Sequence, residues 1–179
     1  MKKYITTLSV LVFIIGVVIY MYDSRLDSSN CVSDSCLQVS NLEYPVTQLP
    51  DSIVKVLNDA LLDEYRAYST YASVVGKYGA VRPFIMIMRA EEQHIASLKA
   101  LFDKYGVEVP ENTFMGNVSV AGSVAEACRD GVAAETGNVN LYKNTLLPLV
   151  TEYQDITKVF TNLMNASETR HLPAFTRCS

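Results

Sequence analysis

Residues 84–105 read FIMIMRAEEQHIASLKALFDKY, and the positions of Glu91 and His94 within them decide the fold. Phe84, Ile87, Leu98, Leu101 and Tyr105 recur with these two at steps of three and four, the period of a helix face turned toward a core. Pro83 suits the first turn of such a helix, and Gly106 suits its end. Glu91 and His94 sit at the middle of the apolar face. Residues three apart on a helix share that face, so the pair can address one point. Charge in an apolar interior is costly unless something answers it, so the rest of the chain must supply a counterpart.

Three further stripes have the same design. The first is Leu57, Leu61, Glu64, Tyr68, Tyr71, Val75 and Tyr78, with Asp51 or Ser52 placed to cap its start and Gly79 to end it. Another is Val124, Cys128, Gly131, Glu135, Asn138, Tyr142 and Thr145, where Gly131 and Gly137 lower the helix propensity. The last is Thr157, Thr161, Met164, Glu168, His171, Phe175 and Cys178, with Pro173 kinking or closing its final turn. No segment of useful length in this region alternates with the period of a strand. The fold class is therefore all-α, a four-helix bundle over residues 51–179.

Each stripe carries a glutamate near its middle: Glu64, Glu91, Glu135 and Glu168. The protein has two histidines, and both stand three residues after one of these, as His94 and His171. In a helical hairpin, residues with a constant sum of positions lie at one height. Glu64 and Glu91 are centred on the Tyr78–Gly79 break, and Glu135 and Glu168 on the expected turn between Pro148 and Asp155. All four carboxylates can thus meet at one level. Left alone they would repel and be desolvated. Two divalent cations would cancel their charge, with two imidazoles completing the donor set. Oxygen-rich coordination with some imidazole suits iron or manganese better than zinc, which favours fewer ligands. The alternative, surface pairs on helices turned another way, is opposed by the apolar residues on both sides of each glutamate.

The order Glu, Glu-x-x-His, Glu, Glu-x-x-His resembles the di-iron carboxylate site of the ferritin-like superfamily, including rubrerythrin-type proteins. Residues 61–105, with Ala90-Glu91-Glu92-Gln93-His94, and the ending Ser167-Glu168-Thr169-Arg170-His171-Leu172-Pro173-Ala174-Phe175 are similar to a prokaryotic ferritin-like domain family of uncharacterised function. The likeness covers about residues 52–177. It implies an antiparallel bundle with a long crossover joining parallel helices 2 and 3. It also implies that Glu91 and Glu168 bridge two metals, with Glu64 and His94 completing one site and Glu135 and His171 the other. The implied cofactor is two iron ions, with manganese or zinc as substitutes. The implied chemistry is ferroxidase- or peroxidase-like, with O2 or H2O2 as oxidant. The rubredoxin module of full-length rubrerythrins is missing, so electrons would come from an external donor. Sequestration without turnover, or metals that only staple the core, are the other readings, and a homodimer is compatible with each.

Tyr68, Asn138 and Tyr142 fall one or two turns from the glutamates and can hydrogen-bond them, although plain packing is the alternative for the tyrosines. Cys128 and Cys178 sum to 306, as do Glu135 and His171. An antiparallel pair of helices 3 and 4 would bring them level, and a disulfide is expected there, with two buried thiols as the alternative. Ahead of the bundle, Lys2 and Lys3 precede an uncharged run over residues 4–22, long enough for a membrane-crossing helix. Residues 1–22 are read as a signal-anchor with the domain on the extracytoplasmic side, or as a cleaved signal that leaves it secreted. Residues 23–50 form a Ser-rich tether in which Cys31 and Cys36 can pair locally. A net charge of −4 on 179 residues, with no basic patch, gives no reason to expect nucleic acid as a partner.

Overall fold

The computed structural model describes residues 48–179. The apolar run, most of the tether and the Cys31–Cys36 pair lie outside the described residues. Among those described, every regular element is helical, and no helix is long and apolar enough to cross a membrane. Helix α1 spans Asp51–Tyr78, α2 Phe84–Tyr105 and α3 Val124–Leu141. α3 runs on as a π-turn, Tyr142–Leu146, and a short 3-10 turn, Leu147–Leu149. The fourth strut is α4, Gln154–Ala166, then a π-turn, Ser167–His171, and α5, Leu172–Thr176.

The helix ends follow their local chemistry. Gly79 and Gly106 take positive φ, of 82° and 63°, which ends α1 and α2 where a side chain would be strained. Ser123 caps α3: its Oγ accepts from the Glu126 backbone N–H at 3.1 Å, while the Glu126 carboxylate accepts from Gly122 N–H at 2.9 Å. Neither Asp51 nor Ser52 caps α1; Pro50 precedes its first turn, with no side-chain cap. The crossover between α2 and α3 is tied to α1 by Asn112, which donates to Ser69 Oγ at 3.2 Å, and by Tyr78, whose hydroxyl donates to the Ala121 carbonyl at 2.7 Å.

Two apolar clusters fill the bundle. One holds Leu57, Leu61, Leu98, Leu101, Tyr142, Leu146, Phe160 and Leu163, together with Leu49 just ahead of α1. The other holds Tyr71, Val74, Phe84, Ile87, Ala127, Cys128 and Phe175. On every strut the polar residues of interest lie between the two. Glu91 and His94 fall between Ile87 and Leu98, Glu135 and Asn138 between Cys128 and Tyr142, and His171 between Leu163 and Phe175. The polar level is therefore sealed above and below by apolar side chains, and the low dielectric makes its internal interactions strong.

At the second cluster's end a disulfide joins Cys128 to Cys178, with Cα atoms 5.7 Å apart. It staples α3 to the C-terminal strut two helical turns from Glu135 and His171. Beside it Phe175 lies on Gly131 so closely that a β-carbon there would stand 2.6 Å from the ring. Phe175 also packs on Tyr71 and Phe84, with both centroid distances at 5.1 Å. Gly131→Ala should accordingly destabilise the metal-free protein by about 1–3 kcal/mol through overpacking. Gly137→Ala, with nothing within 4 Å of the added atom, should stabilise it by about 0.4–1 kcal/mol. Urea midpoints that move in the same direction for both variants would contradict this packing.

Candidate metal centre

Five titratable side chains from four segments meet at the polar level: Glu64 of α1, Glu91 and His94 of α2, Glu135 of α3 and His171 of the second π-turn. None is more than 4% exposed. They form two groups able to hold a metal ion, Glu64–Glu91–His94 and Glu91–Glu135–His171, each with its donor atoms within 4.8 Å of one another. Glu91 belongs to both. The imidazole rings, one from each group, stack with centroids 5.4 Å apart and planes 22° from parallel.

The hydrogen bonds divide the carboxylate oxygens by task. Glu64 Oε1 accepts from the Tyr142 hydroxyl at 2.8 Å and from Asn138 Nδ2 at 3.2 Å, while its Oε2 faces His94 Nδ1 at 3.1 Å. Glu135 Oε1 accepts from the Tyr71 hydroxyl at 2.6 Å, and its Oε2 lies 3.3 Å from His171 Nδ1. Each outer glutamate is therefore oriented by a phenol through one oxygen and presents the other inward. Glu91 has no such anchor and presents both oxygens: Oε2 lies 2.8 Å from His94 Nδ1, and Oε1 lies 3.1 Å from His171 Nδ1. The last two atoms are close but poorly aligned, and neither has a hydrogen-bond partner, although both are buried. His94 Nε2 is likewise buried and unpartnered. Orphaned donors and acceptors of this kind call for an explanation, and a cation shared by Glu91 Oε1 and His171 Nδ1 provides one for that pair, whereas His94 Nε2 lies on the side of its ring away from Glu64 and Glu91.

Burial and neighbouring charge set the protonation of the metal-free centre. Burial followed by the Glu91 carboxylate raises the Glu64 carboxyl. Burial would also raise Glu91, but the imidazoliums of His94 and His171 outweigh it and hold Glu91 at about 2. Burial disfavours charge on His94, yet Glu91 and Glu64 push it up to about 10. His171 is raised against burial to about 9 by Glu135 and Glu91. Burial, then Glu135 for Tyr71 and Glu64 for Tyr142, raises both phenols well above their ordinary value, so each remains a donor. Two imidazoliums thus stand in for the positive charge that metals would bring.

Glu168 does not join this centre. Its spacing to His171 predicts the inner face for it, but it is exposed, and Ser167 is buried in its place. The cause is the π-turn Ser167–His171. With i→i+5 bonding it holds more residues per turn, so residues four apart share a face and residues three apart do not. The α3 stripe slips the same way: Tyr142 and Leu146 are buried across the first π-turn, and Thr145 is exposed. In α4 the buried face is accordingly Ile156, Phe160 and Leu163, with Thr157, Thr161 and Met164 half-buried. Tyr68 packs against the first apolar cluster rather than reaching a glutamate. Tyr71 makes that contact, and a sequence signal for it exists. Tyr71 follows Glu64 by seven residues, as Tyr142 follows Glu135, and each tyrosine bonds the glutamate of the other helix. That reciprocity marks α1 and α3 as antiparallel neighbours.

A cleft of about 600 Å³ between α1 and α3 leads to Glu91 and Glu135. It opens beside Arg66, Ala133, Ala134 and Gly137, all exposed.

No protein-family model matches the chain, and no curated protein does. Among solved structures, a hypothetical protein from Methanococcus jannaschii DSM 2661 is similar with a TM-score of 0.65 and 21% identity, covering 75% of this chain and 83% of that one. The bacterioferritin BfrA of Mycobacterium tuberculosis is similar with a TM-score of 0.60 and 16% identity, covering 73% and 86%. At these identities the likeness concerns the backbone. The chain therefore carries the ferritin-like fold.

Proposed function

We propose that this bundle binds two divalent metal ions, iron in the first instance, and that they react with O2 or H2O2. The observation that carries the reading is the pair of three-ligand groups sharing Glu91. Iron is favoured over zinc because the donor set is three carboxylates and two imidazoles in two adjoining groups, not a closed tetrahedron. A bound iron pair would supply electrons to the oxidant by passing between its ferrous and ferric states. The chain's own residues do the rest. Tyr142 and Asn138 fix Glu64, Tyr71 fixes Glu135, and the unanchored Glu91 is free to change its mode of contact as charge at the centre changes. The apolar clusters exclude bulk water, and the cleft admits small molecules to Glu91 and Glu135. That access favours a reactive centre over a purely structural staple. The disulfide suits an oxidising compartment, in line with an exported domain.

The test uses the full chain, loaded anaerobically with Fe(II), assayed for iron and then mixed with O2 or H2O2. Two irons per chain followed by rapid growth of ferric absorbance is the expected result. Two irons that stay ferrous under both oxidants would replace this reading with sequestration, and no iron uptake would remove the centre altogether.

A further inference from the structure

The two halves of the centre are held in different ways. Glu64, Glu91 and His94 stand on α1 and α2, helices of 28 and 22 residues. Glu135 and His171 stand on the two interrupted struts, and His171 is itself the last residue of a π-turn. Beyond it α5 has five residues, too few for a helix that must hold itself. Pro173 lies in its first turn and has no N–H to bond back into the π-turn. This end of the chain is therefore kept in place from outside. One hold is Phe175, which packs on Tyr71 and Phe84 and lies over Gly131. The other is the disulfide three residues on, which ties positions 50 residues apart in the chain. The Cys178 backbone N–H donates to the Phe175 carbonyl at 3.0 Å, and Tyr71, under the Phe175 ring, donates to Glu135 at 2.6 Å. One line of contact thus runs from the sulfurs through Phe175 and Tyr71 to the Glu135–His171 group. Glu64 is fixed by Tyr142 and Asn138 instead.

We propose that the Cys128–Cys178 disulfide is a redox switch for one half of the centre. Formed, it holds the Glu135–His171 group in place to keep a metal ion; reduced, it lets that ion go, while Glu64, Glu91 and His94 keep theirs. The proposal rests on the metal-binding reading above. Cys128 is buried and Cys178 is half-buried beside the exposed Arg177, so Cys178 is the side from which a thiol can approach. The co-reactant is a dithiol. Its first sulfur attacks Cys178 and displaces Cys128 as a thiol, its second displaces Cys178, and it leaves as a disulfide. Two electrons and two protons pass to the cysteines, and the reverse exchange with a partner disulfide closes the switch. With the bond open, α5 joins the least stable part of the fold, and fraying there carries His171 away from Glu135. An exported chain would accordingly complete its centre only after leaving a reducing compartment.

The test uses the full chain with Cys31→Ser and Cys36→Ser throughout, so that one pair of sulfurs responds to reductant. Metal content is read after gel filtration at sub-micromolar free Co(II) for three forms: oxidised, reduced with a phosphine removed before Co(II) is added, and Cys128→Ser with Cys178→Ser. The oxidised chain should hold two ions and the other two forms one, the second site having lost at least about tenfold in affinity. Glu64→Gln, left with the Glu135–His171 group, should lose its ion on reduction, and Glu135→Gln should keep its own. In the metal-free chain, reduction should speed amide exchange over residues 167–178 at least about tenfold and leave α2 unchanged. Leu49→Ala weakens the apolar cluster that does not hold the sulfurs, and should retain two ions. Two ions on the reduced chain at unchanged affinity would overturn the proposal. So would loss of both ions together, or loss of one by Leu49→Ala, since either makes the bond a general staple. An oxidised chain that takes up no Co(II) would instead overturn the metal-binding reading, and unchanged exchange over residues 167–178 would overturn the switch whether or not metal binds.

Discussion

Glu91→Gln should abolish binding of both metal ions, whereas Glu168→Gln should leave two ions per chain. Glu91 is the one side chain common to both ligand groups, with an oxygen turned to each histidine. The amide keeps its size but loses the negative charge, and one of its two ends becomes a donor aimed at a cation. In a buried site, removing one partner leaves the remaining charges uncompensated, a cost of several kcal/mol. A fall in affinity of at least about 100-fold at each site follows, since every 1.4 kcal/mol is tenfold. Glu64→Gln and Glu135→Gln each touch one group only and should each cost one ion. Glu168 is exposed on the π-turn, and the amide there should be silent. Metal content after gel filtration at sub-micromolar free Co(II) reads all four variants. One ion retained by Glu91→Gln, or one lost by Glu168→Gln, would return the second bridging role to Glu168.

That contrast also shows what the sequence could and could not reveal. The level at which the polar residues meet was legible, because hairpin geometry depends only on counting: Glu135 and His171 share a level, as do Cys128 and Cys178, and in the structure both pairs are close. The face was legible on α1 and α2, which keep α-helical period throughout. It was not legible across the two π-turns. A single added residue per turn is invisible in hydropathy when the neighbours are Ser167, Glu168 and Thr169, all polar. Counting back from His171 in steps of three and four reaches Glu168 and Met164, while the π-turn inserts a step of four and leads to Ser167 and Leu163. Tyr71 is legible only when two stripes are set side by side. It stands two turns from the glutamate on its own helix, and its value to the centre depends on α3 lying alongside α1, which no single stripe discloses. Asn138 and Tyr142 could be picked out because a buried amide and phenol on an inner stripe need partners, and Glu64 supplies one to both.

Metal binding should expel about two protons per chain near neutral pH, and the combined affinity for two ions should rise about 100-fold per pH unit up to about pH 9. A metal takes neutral imidazole, and in the metal-free protein His94 and His171 hold their protons up to about 10 and 9. Each site therefore surrenders one proton, and each proton contributes tenfold per pH unit. The stability of the metal-free chain runs the other way. A histidine raised above its unfolded value of 6.5 stabilises the fold fully below that pH, and the contribution is lost as pH rises through 9 and 10. Asp63, raised to about 6 by burial and by Glu64, likewise favours the fold only while protonated, and its contribution is lost as pH rises from 3.8 through about 6. Glu91 has the opposite sign: held at about 2, it stabilises above 4.5 and ceases to do so as pH falls through 2. Between pH 6.5 and 9 the metal-free protein should therefore weaken while the metal-loaded protein gains, and the difference in Tm between them should widen with pH. Melting curves at pH 6, 7, 8 and 9 with and without Co(II), and proton release counted with an indicator dye in weak buffer, measure both slopes. A constant difference in Tm with no protons released would mean that the histidines are already neutral, and that the carboxylates alone hold the charge of the centre.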